Sequence, residues 1–195
     1  MELIEQTREY VDKRESIIND LAKALPKFLG DSDRSVVLVG VTRLENELEK
    51  YLTSFMIESP TGIEDLFGSG PLSTFSSKIS VARRLGLINN ELQDAIDAMR
   101  KIRNLVNKPE ENDVFESVDV PRIINNMHTK YCENKNFIEI QNAVSQSEKF
   151  QSLKKSNEVK ADFILVLFYL LYTLQTGKLL AQKKQYRAKL ILSFP

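Results

Sequence analysis

The sequence predicts an all-α protein: a single-domain multi-helix bundle with a buried apolar helix near the C-terminus. Apolar residues recur at helical spacing along most of the chain, and Gly and Pro are few, seven and six among 195 residues. Residues 163–174 are almost wholly apolar. Only Lys189–Phe194 has the composition of a short strand. Hydrophobic residues make up 42% and charged residues 28% of the chain, as expected for a globular protein.

The first half of the chain is predicted to form four helices. Residues 2–28 form a long amphipathic helix closed by Pro26 and Gly30, and residues 35–55 form the second. After the loop-rich segment 59–73, a third helix spans 74–86, with Gly86 as its C-cap, and a fourth follows Asn89-Asn90 and ends near Val106. The predicted inward positions are Ile4, Val11, Ile18, Leu21 and Leu25, then Val37, Val41, Leu44, Leu48, Leu52 and Phe55, then Phe75, Ile79, Ala82 and Leu85, and finally Leu92, Ala95, Ile96, Met99, Ile102 and Val106.

The second half of the chain is predicted to contain a helix over 120–132 and an apolar helix over 161–180. Residues 137–158 are polar, and the pattern leaves open whether they are ordered. The apolar segment 163–174 is short against the ~20 residues that span a bilayer, and Lys160, Asp162 and Lys178 flank it. We therefore predict a core helix, with no membrane span, in a cytoplasmic protein. The predicted organisation is an N-terminal helix at 1–30, a helical bundle at 31–181 and a basic tail at 182–195.

Charge and chemistry-bearing residues argue against several classes of function. Lys plus Arg equals Asp plus Glu, 27 of each, so no net charge attracts nucleic acid or anionic lipid. The single cysteine, Cys132, cannot form an internal disulfide, which fits a reducing compartment. The only histidine, His128, shares a helix face with Cys132, but two ligands do not make a metal site. We predict no metal, no cofactor and no catalytic set.

Two features bear on nucleic-acid binding. Residues 80–92, SVARRLGLINNEL, have the small residue, turn glycine and apolar residue of a helix-turn-helix. The helix that would read DNA opens with Glu91, Asp94 and Asp97, and carboxylates there would repel phosphates, so direct DNA binding is disfavoured. A basic run follows in the C-terminal region, formed by Lys178, Lys183, Lys184, Arg187 and Lys189. Such a run is usually the solvated end of a helix, where positive charge complements the helix dipole.

Arg103 is the most informative single residue, because it lies on the apolar stripe of the fourth helix, seven residues after Ile96 and four after Met99. A guanidinium at a buried position needs a carboxylate partner. Glu45, at the margin of the second helix's inner face, is the best candidate. The sequence therefore predicts a Glu45–Arg103 pair between two helices. Whether that pair is structural or belongs to a functional cleft stays open.

Three segments stand in the same order as in the mannitol operon repressor family: LVGVTRLENELEKYL (38–52), GSGPLSTFSSKISVARRLGLIN (68–89) and MRKIRNLVNK (99–108). The middle segment is the most specific of the three. The sequence resembles that family over about residues 35–106. This resemblance implies an all-helical fold and a role in bacterial transcriptional regulation without a standard DNA-reading motif, and it favours action through a protein partner.

The third segment also resembles the motif of HEPN ribonucleases, in which an Arg and a polar residue are followed by a His. Arg103 and Asn104 match, but Lys108 stands where the His would be. A lysine with an ordinary pKa of about 10.4 is a poor base at neutral pH. The resemblance therefore implies a HEPN-like scaffold whose catalytic pair is incomplete.

These observations predict a non-enzymatic transcriptional regulator that acts mainly through contacts with another protein, with a homodimer left open. The alternative is a HEPN-like RNA-binding protein or ribonuclease of a defence or toxin system. In that alternative, Arg103, Asn104, Lys101 and Lys108 would form a cleft for phosphate.

Overall fold

The computed structural model describes the backbone of residues 2–56, 64–106 and 114–192, and the side chains of 8–56, 66–106 and 114–180. These ranges contain helices and connecting turns but no strand, so the predicted all-α bundle is confirmed. The helices are α1 (Glu2–Gly30), α2 (Asp33–Thr53), α3 (Glu64–Phe67), α4 (Phe75–Arg84), α5 (Asn90–Val106), α6 (Asp119–Tyr131), α7 (Lys135–Ser145), α8 (Glu148–Ser156) and α9 (Glu158–Leu192). A short 3₁₀ turn, Val114–Glu116, precedes α6.

The helix ends follow local capping chemistry. Ser32, Thr74, Asn134 and Ser147 precede α2, α4, α7 and α8, and each accepts a hydrogen bond from a backbone amide in the first turn of its helix. Gly86 has a φ of +69° in the turn after α4, a conformation that glycine adopts without steric cost. The sequence left open whether residues 137–158 are ordered. They form most of α7 and α8, which are capped by Asn134 and Ser147.

The core is built around α9. Every residue of Ala161–Tyr172 is buried, because α1, α2, α5, α6, α7 and α8 all pack against this helix. A helix that is apolar on all sides must be surrounded in this way if water is to be excluded. Its stretch Glu158–Leu180 has a mean hydropathy of 1.6 and is long enough to cross a membrane by length and composition, yet 67% of that window is buried inside the bundle.

Helix α2 runs parallel to α9 at close range. At one end, the buried Lys160 donates hydrogen bonds from Nζ to the Asp33 carboxylate (2.8 Å) and to the Asp31 carbonyl (3.1 Å). In the middle of the contact, a Cβ placed on Gly40 would lie 2.5 Å from Leu167 Cδ2. At Gly40, helix α2 therefore approaches α9 closely.

Several expectations from the sequence were wrong in detail. Helix α9 continues to Leu192, so Lys189–Leu192 is helical rather than a strand. Two predicted inward residues are exposed, Val11 by 41% and Leu85 by 56%. Leu85 is the C-cap residue of α4 and directly precedes the turn at Gly86. Ile4, Lys108 and residues 193–195 lie outside the described side chains.

Candidate functional site

A cluster of four charged side chains lies where α2, α4 and α5 meet, and we call it the charge cluster. Its members are Glu45 and Glu49 from α2, Lys78 from α4 and Arg103 from α5. Glu45 and Glu49 are four residues apart, so they project from one face of α2. The cluster therefore joins three helices through side chains of both charges.

The distances within the charge cluster are those of direct ion pairs. Arg103 Nη1 donates a hydrogen bond to Glu45 Oε2 at 2.6 Å. Lys78 Nζ donates to the other oxygen of Glu45 at 3.1 Å and lies 2.7 Å from Glu49 Oε2. The structure thus brings together the two residues that the sequence paired, Glu45 and Arg103. It also places a second cation on the same carboxylate.

The charge cluster is largely shielded from water. The side chains of Lys78 and Glu45 are 6% and 15% exposed, whereas Arg103 keeps 21% of its surface. The Arg103 guanidinium lies 5.3 Å from the ring centre of Phe75, which covers one side of it. Burial lowers the pKa of Lys78, but its hydrogen bonds with Glu49 and Glu45 raise it by more, so the net pKa lies above the ordinary value. Lys78 is therefore a cation at neutral pH.

The other residues predicted for a phosphate cleft do not join Arg103. Lys101 is 63% exposed and forms an ion pair with Asp97 at 3.2 Å, one turn earlier on α5. Asn104 is exposed and follows Arg103 directly, so it projects from a different side of the helix. Lys108 lies outside the described residues. Within the described part of the site, the Arg103 side chain is directed to Glu45 rather than toward Lys101 and Asn104.

Sequence reasoning missed Lys78 and Glu49. A signal for Lys78 was present, because it stands three residues after Phe75 and four before Ala82, on the inner stripe of α4. Like Arg103, it is a cation at an apolar position and requires an acidic partner. The i, i+4 spacing of Glu45 and Glu49 would have supplied both partners. Which helices face each other could not be read from either pattern.

The turn between α4 and α5 borders an open groove of about 370 Å³, which we call the tyrosine groove. It is lined by Gly86, Leu87 and Ile88 of the turn, by Tyr131 at the end of α6 and by Tyr169 in the middle of α9. The two tyrosine rings pack at 4.7 Å between centroids. Burial raises the pKa of both Tyr131 and Tyr169, so both hydroxyls stay protonated at neutral pH.

The segment that resembles a helix-turn-helix forms one wall of this groove. Arg83 donates a hydrogen bond to Asn90 Oδ1 across the turn, while Arg84 is exposed. Glu91 and Asp94 are also exposed on α5, as the sequence predicted for the start of this helix. The helix that would have to approach DNA therefore presents carboxylates to solvent.

Within the described residues, no group of three or more His, Cys, Asp or Glu side chains is arranged to hold a metal ion. Comparison of the chain with protein-family models, curated proteins and solved structures found no match. The resemblances to the mannitol operon repressor family and to HEPN proteins therefore stay predictions from the sequence.

Proposed function

We propose that this chain is a non-enzymatic regulator of transcription that acts through contacts with another protein. The observation that carries the proposal is the state of Arg103, one of the residues that the alternative ribonuclease function requires. Its guanidinium pairs with Glu45 at 2.6 Å inside a cluster of two cations and two carboxylates. Such a residue is suited to holding helices together.

The charge balance of the cluster supports a structural role over phosphate binding. A phosphate that approached Arg103 would meet the carboxylate of Glu45 and would have to displace it. Glu45 also accepts a hydrogen bond from Lys78, so its displacement would leave a second, 94%-buried cation with Glu49 alone. Because Lys78 would keep Glu49 as a partner, the cost is below the ~3–5 kcal/mol of leaving a buried charge fully unpaired. That cost opposes RNA binding at Arg103.

The tyrosine groove is the candidate surface for the protein partner. It begins next to Leu85, which is 56% exposed on the turn, and the two tyrosine rings line it. Exposed aliphatic and buried aromatic surface with a few hydroxyl groups is typical of the centre of protein interfaces. The partner expected at this surface is a protein that inserts an apolar side chain against Leu85 and the tyrosines.

Affinity capture of the tagged chain from host lysate, with and without nuclease, tests this proposal. We expect a protein partner that survives nuclease and that is lost with the Leu85→Asp variant. The matched control is Val118→Asp, since Val118 is 91% exposed and lies outside the groove. Equal loss with both variants would contradict the groove as the contact surface.

The RNA alternative has its own outcome in the same experiment. Capture that collapses on nuclease treatment would show that a nucleic acid is the ligand and would overturn regulation through protein contact. RNA cleavage by the wild-type chain, abolished by Arg103→Ala with the helical circular dichroism signal unchanged, would do the same. We expect neither result, because Arg103 is already paired.

A further inference from the structure

The contact between α6 and α9 contains two buried polar atoms that face each other without a hydrogen bond. These atoms are Nε2 of His128 and Oδ1 of Asp162, and 3.7 Å separates them. Neither has a hydrogen-bond partner, although both are shielded from water. The Asp162 side chain is only 7% exposed. Buried polar groups without partners are rare, and each one suggests a specific role.

The separation of 3.7 Å is too long for a hydrogen bond and short enough for an ion pair. A proton between the two atoms would allow a charge-assisted hydrogen bond of about 2.8 Å. The gap would then close by about 0.9 Å, the difference between these distances. Without that proton, two sets of lone pairs face each other and the carboxylate charge is buried, which is unfavourable.

The charged surroundings of Asp162 come from three helices. Burial raises the pKa of its carboxyl group, His128 and Lys154 of α8 lower it, and Glu158 in the first turn of α9 raises it, with a net rise above the ordinary value. From helix α7, the ring of Phe137 packs edge-on against the imidazole at 5.5 Å. Asp162 therefore keeps its proton to a higher pH than an exposed aspartate does.

We propose that His128 and Asp162 form a proton-binding pair that sets how closely α6 is held against α9. His128 precedes Tyr131 by one turn on α6, and Asp162 precedes Tyr169 by about two turns on α9. The pair therefore lies in the same seam as the two rings that form the wall of the tyrosine groove. Proton release loosens this seam and changes the groove. Control of partner binding by this pair rests on the function proposed above. Proton binding by the pair does not depend on that function.

The direction of the pH effect follows from linkage. In the unfolded chain, Asp162 loses its proton at an ordinary pKa of about 3.9. In the folded chain the pKa is raised, so between these two values the folded state holds more protons. The stability contributed by Asp162 is therefore fully present below about pH 4 and is lost as pH rises through the folded pKa. The Asp162→Asn substitution introduces a side chain that cannot ionise, so the variant should not lose this stability as pH rises.

Urea unfolding of wild type and Asp162→Asn between pH 4 and pH 8 measures this effect. We expect the variant to gain stability relative to wild type as pH rises. The control is Asp20→Asn, which removes a carboxylate whose side chain is 65% exposed. A difference between wild type and Asp162→Asn that does not change with pH would overturn the proposal. Should this variant not fold, His128→Gln must show a steeper loss of stability with pH, because His128 lowers the pKa of Asp162 and Gln does not.

A second readout separates the proton-binding pair from a merely structural contact. His128 is the only histidine in the chain, so its imidazole nitrogen signals are unambiguous in NMR spectra. We expect the Nε2 signal to respond to the ionisation of Asp162 over the same pH range as the stability difference, and this response to be lost in Asp162→Asn but kept in Asp20→Asn. The ring signals of Tyr131 and Tyr169 should follow the same transition. Ring signals that do not respond would refute the link to the groove, and failure to capture a partner would bear only on the proposed function.

Discussion

Replacing Glu45 with Gln is expected to be the most destabilising single substitution in the charge cluster. Glu45 accepts hydrogen bonds from both Lys78 and Arg103, and Gln cannot balance either charge. Removal of one partner of a buried ion pair costs about 3–5 kcal/mol, and partial exposure reduces this value because water can reach the stranded group. Lys78 retains Glu49 and Arg103 is 21% exposed, so we expect a loss of about 2–3 kcal/mol in the free energy of unfolding.

The substitution Arg103→Met should cost less, about 1–2 kcal/mol, because Lys78 continues to neutralise Glu45 after the guanidinium is removed. For a chain of this length, each kcal/mol corresponds to about 2–4 °C in melting temperature. Urea unfolding followed by circular dichroism at 222 nm measures both variants. The control is Lys101→Met, which removes an exposed cation from the same helix and should change stability by less than about 0.5 kcal/mol.

A double-mutant cycle between Glu45 and Arg103 isolates their interaction from other effects of each substitution. Residues in direct contact show coupling energies of about 0.5–3 kcal/mol, and we expect a value above 1 kcal/mol for this pair. A coupling near zero, or an Arg103→Met variant as stable as wild type, would refute the claim that Arg103 is held by Glu45. The same result would return Arg103 to the list of residues available for phosphate.

Three further predictions test the packing of the bundle. Gly40→Ala should lower the free energy of unfolding by about 1–3 kcal/mol, because the new Cβ would lie 2.5 Å from the fully buried Leu167. The control is Gly30→Ala, whose new Cβ meets no atom within 4 Å and which should be close to neutral in thermal melts. Lys160→Met should cost about 1–2 kcal/mol in urea unfolding by freeing the Asp33 carboxylate and the Asp31 carbonyl, unlike the exposed Lys155→Met. Tyr172→Phe removes the hydroxyl that accepts a hydrogen bond from Arg14 Nε and should cost about 1 kcal/mol; an unchanged unfolding midpoint would contradict this contact.

Much of the fold follows from periodicity. Five residues of the predicted apolar stripe of α2 are buried, namely Val37, Val41, Leu44, Leu48 and Leu52, whereas the sixth, Phe55, lies beyond the end of the helix and is partly buried. Helix α9 was predicted to be central because it is apolar on every side, and a helix of that kind can avoid water only inside a core. The end of α4 was less predictable. Leu85 continues the apolar spacing, yet it lies one residue beyond the last residue of α4 and is exposed, since spacing alone does not fix where a helix stops.

The candidate site was likewise only partly predictable from the sequence. That Arg103 needs an acidic partner follows from its place on an apolar stripe, and Glu45 was identified on the same grounds. The participation of Lys78 and Glu49 depends on α4 packing across both α2 and α5, which neither helix's own pattern reveals. The pairing of His128 with Asp162 was missed for the same reason, since a lone histidine on α6 gives no information on which residue of α9 faces it.

The sequence by itself determined that the chain is all-α, where most of the apolar faces lie and that Arg103 requires an acidic partner. These properties are local, because they depend on backbone geometry and on side chains within a few turns of each other. Only the tertiary structure decided which helices are neighbours. It therefore decided which carboxylates pair with Lys78, which helix packs against Gly40 and where the tyrosine groove lies. The physical reason is that side-chain packing between helices sets these contacts, and many pairings of similar apolar stripes bury comparable surface until the shapes of all the helices are fitted together.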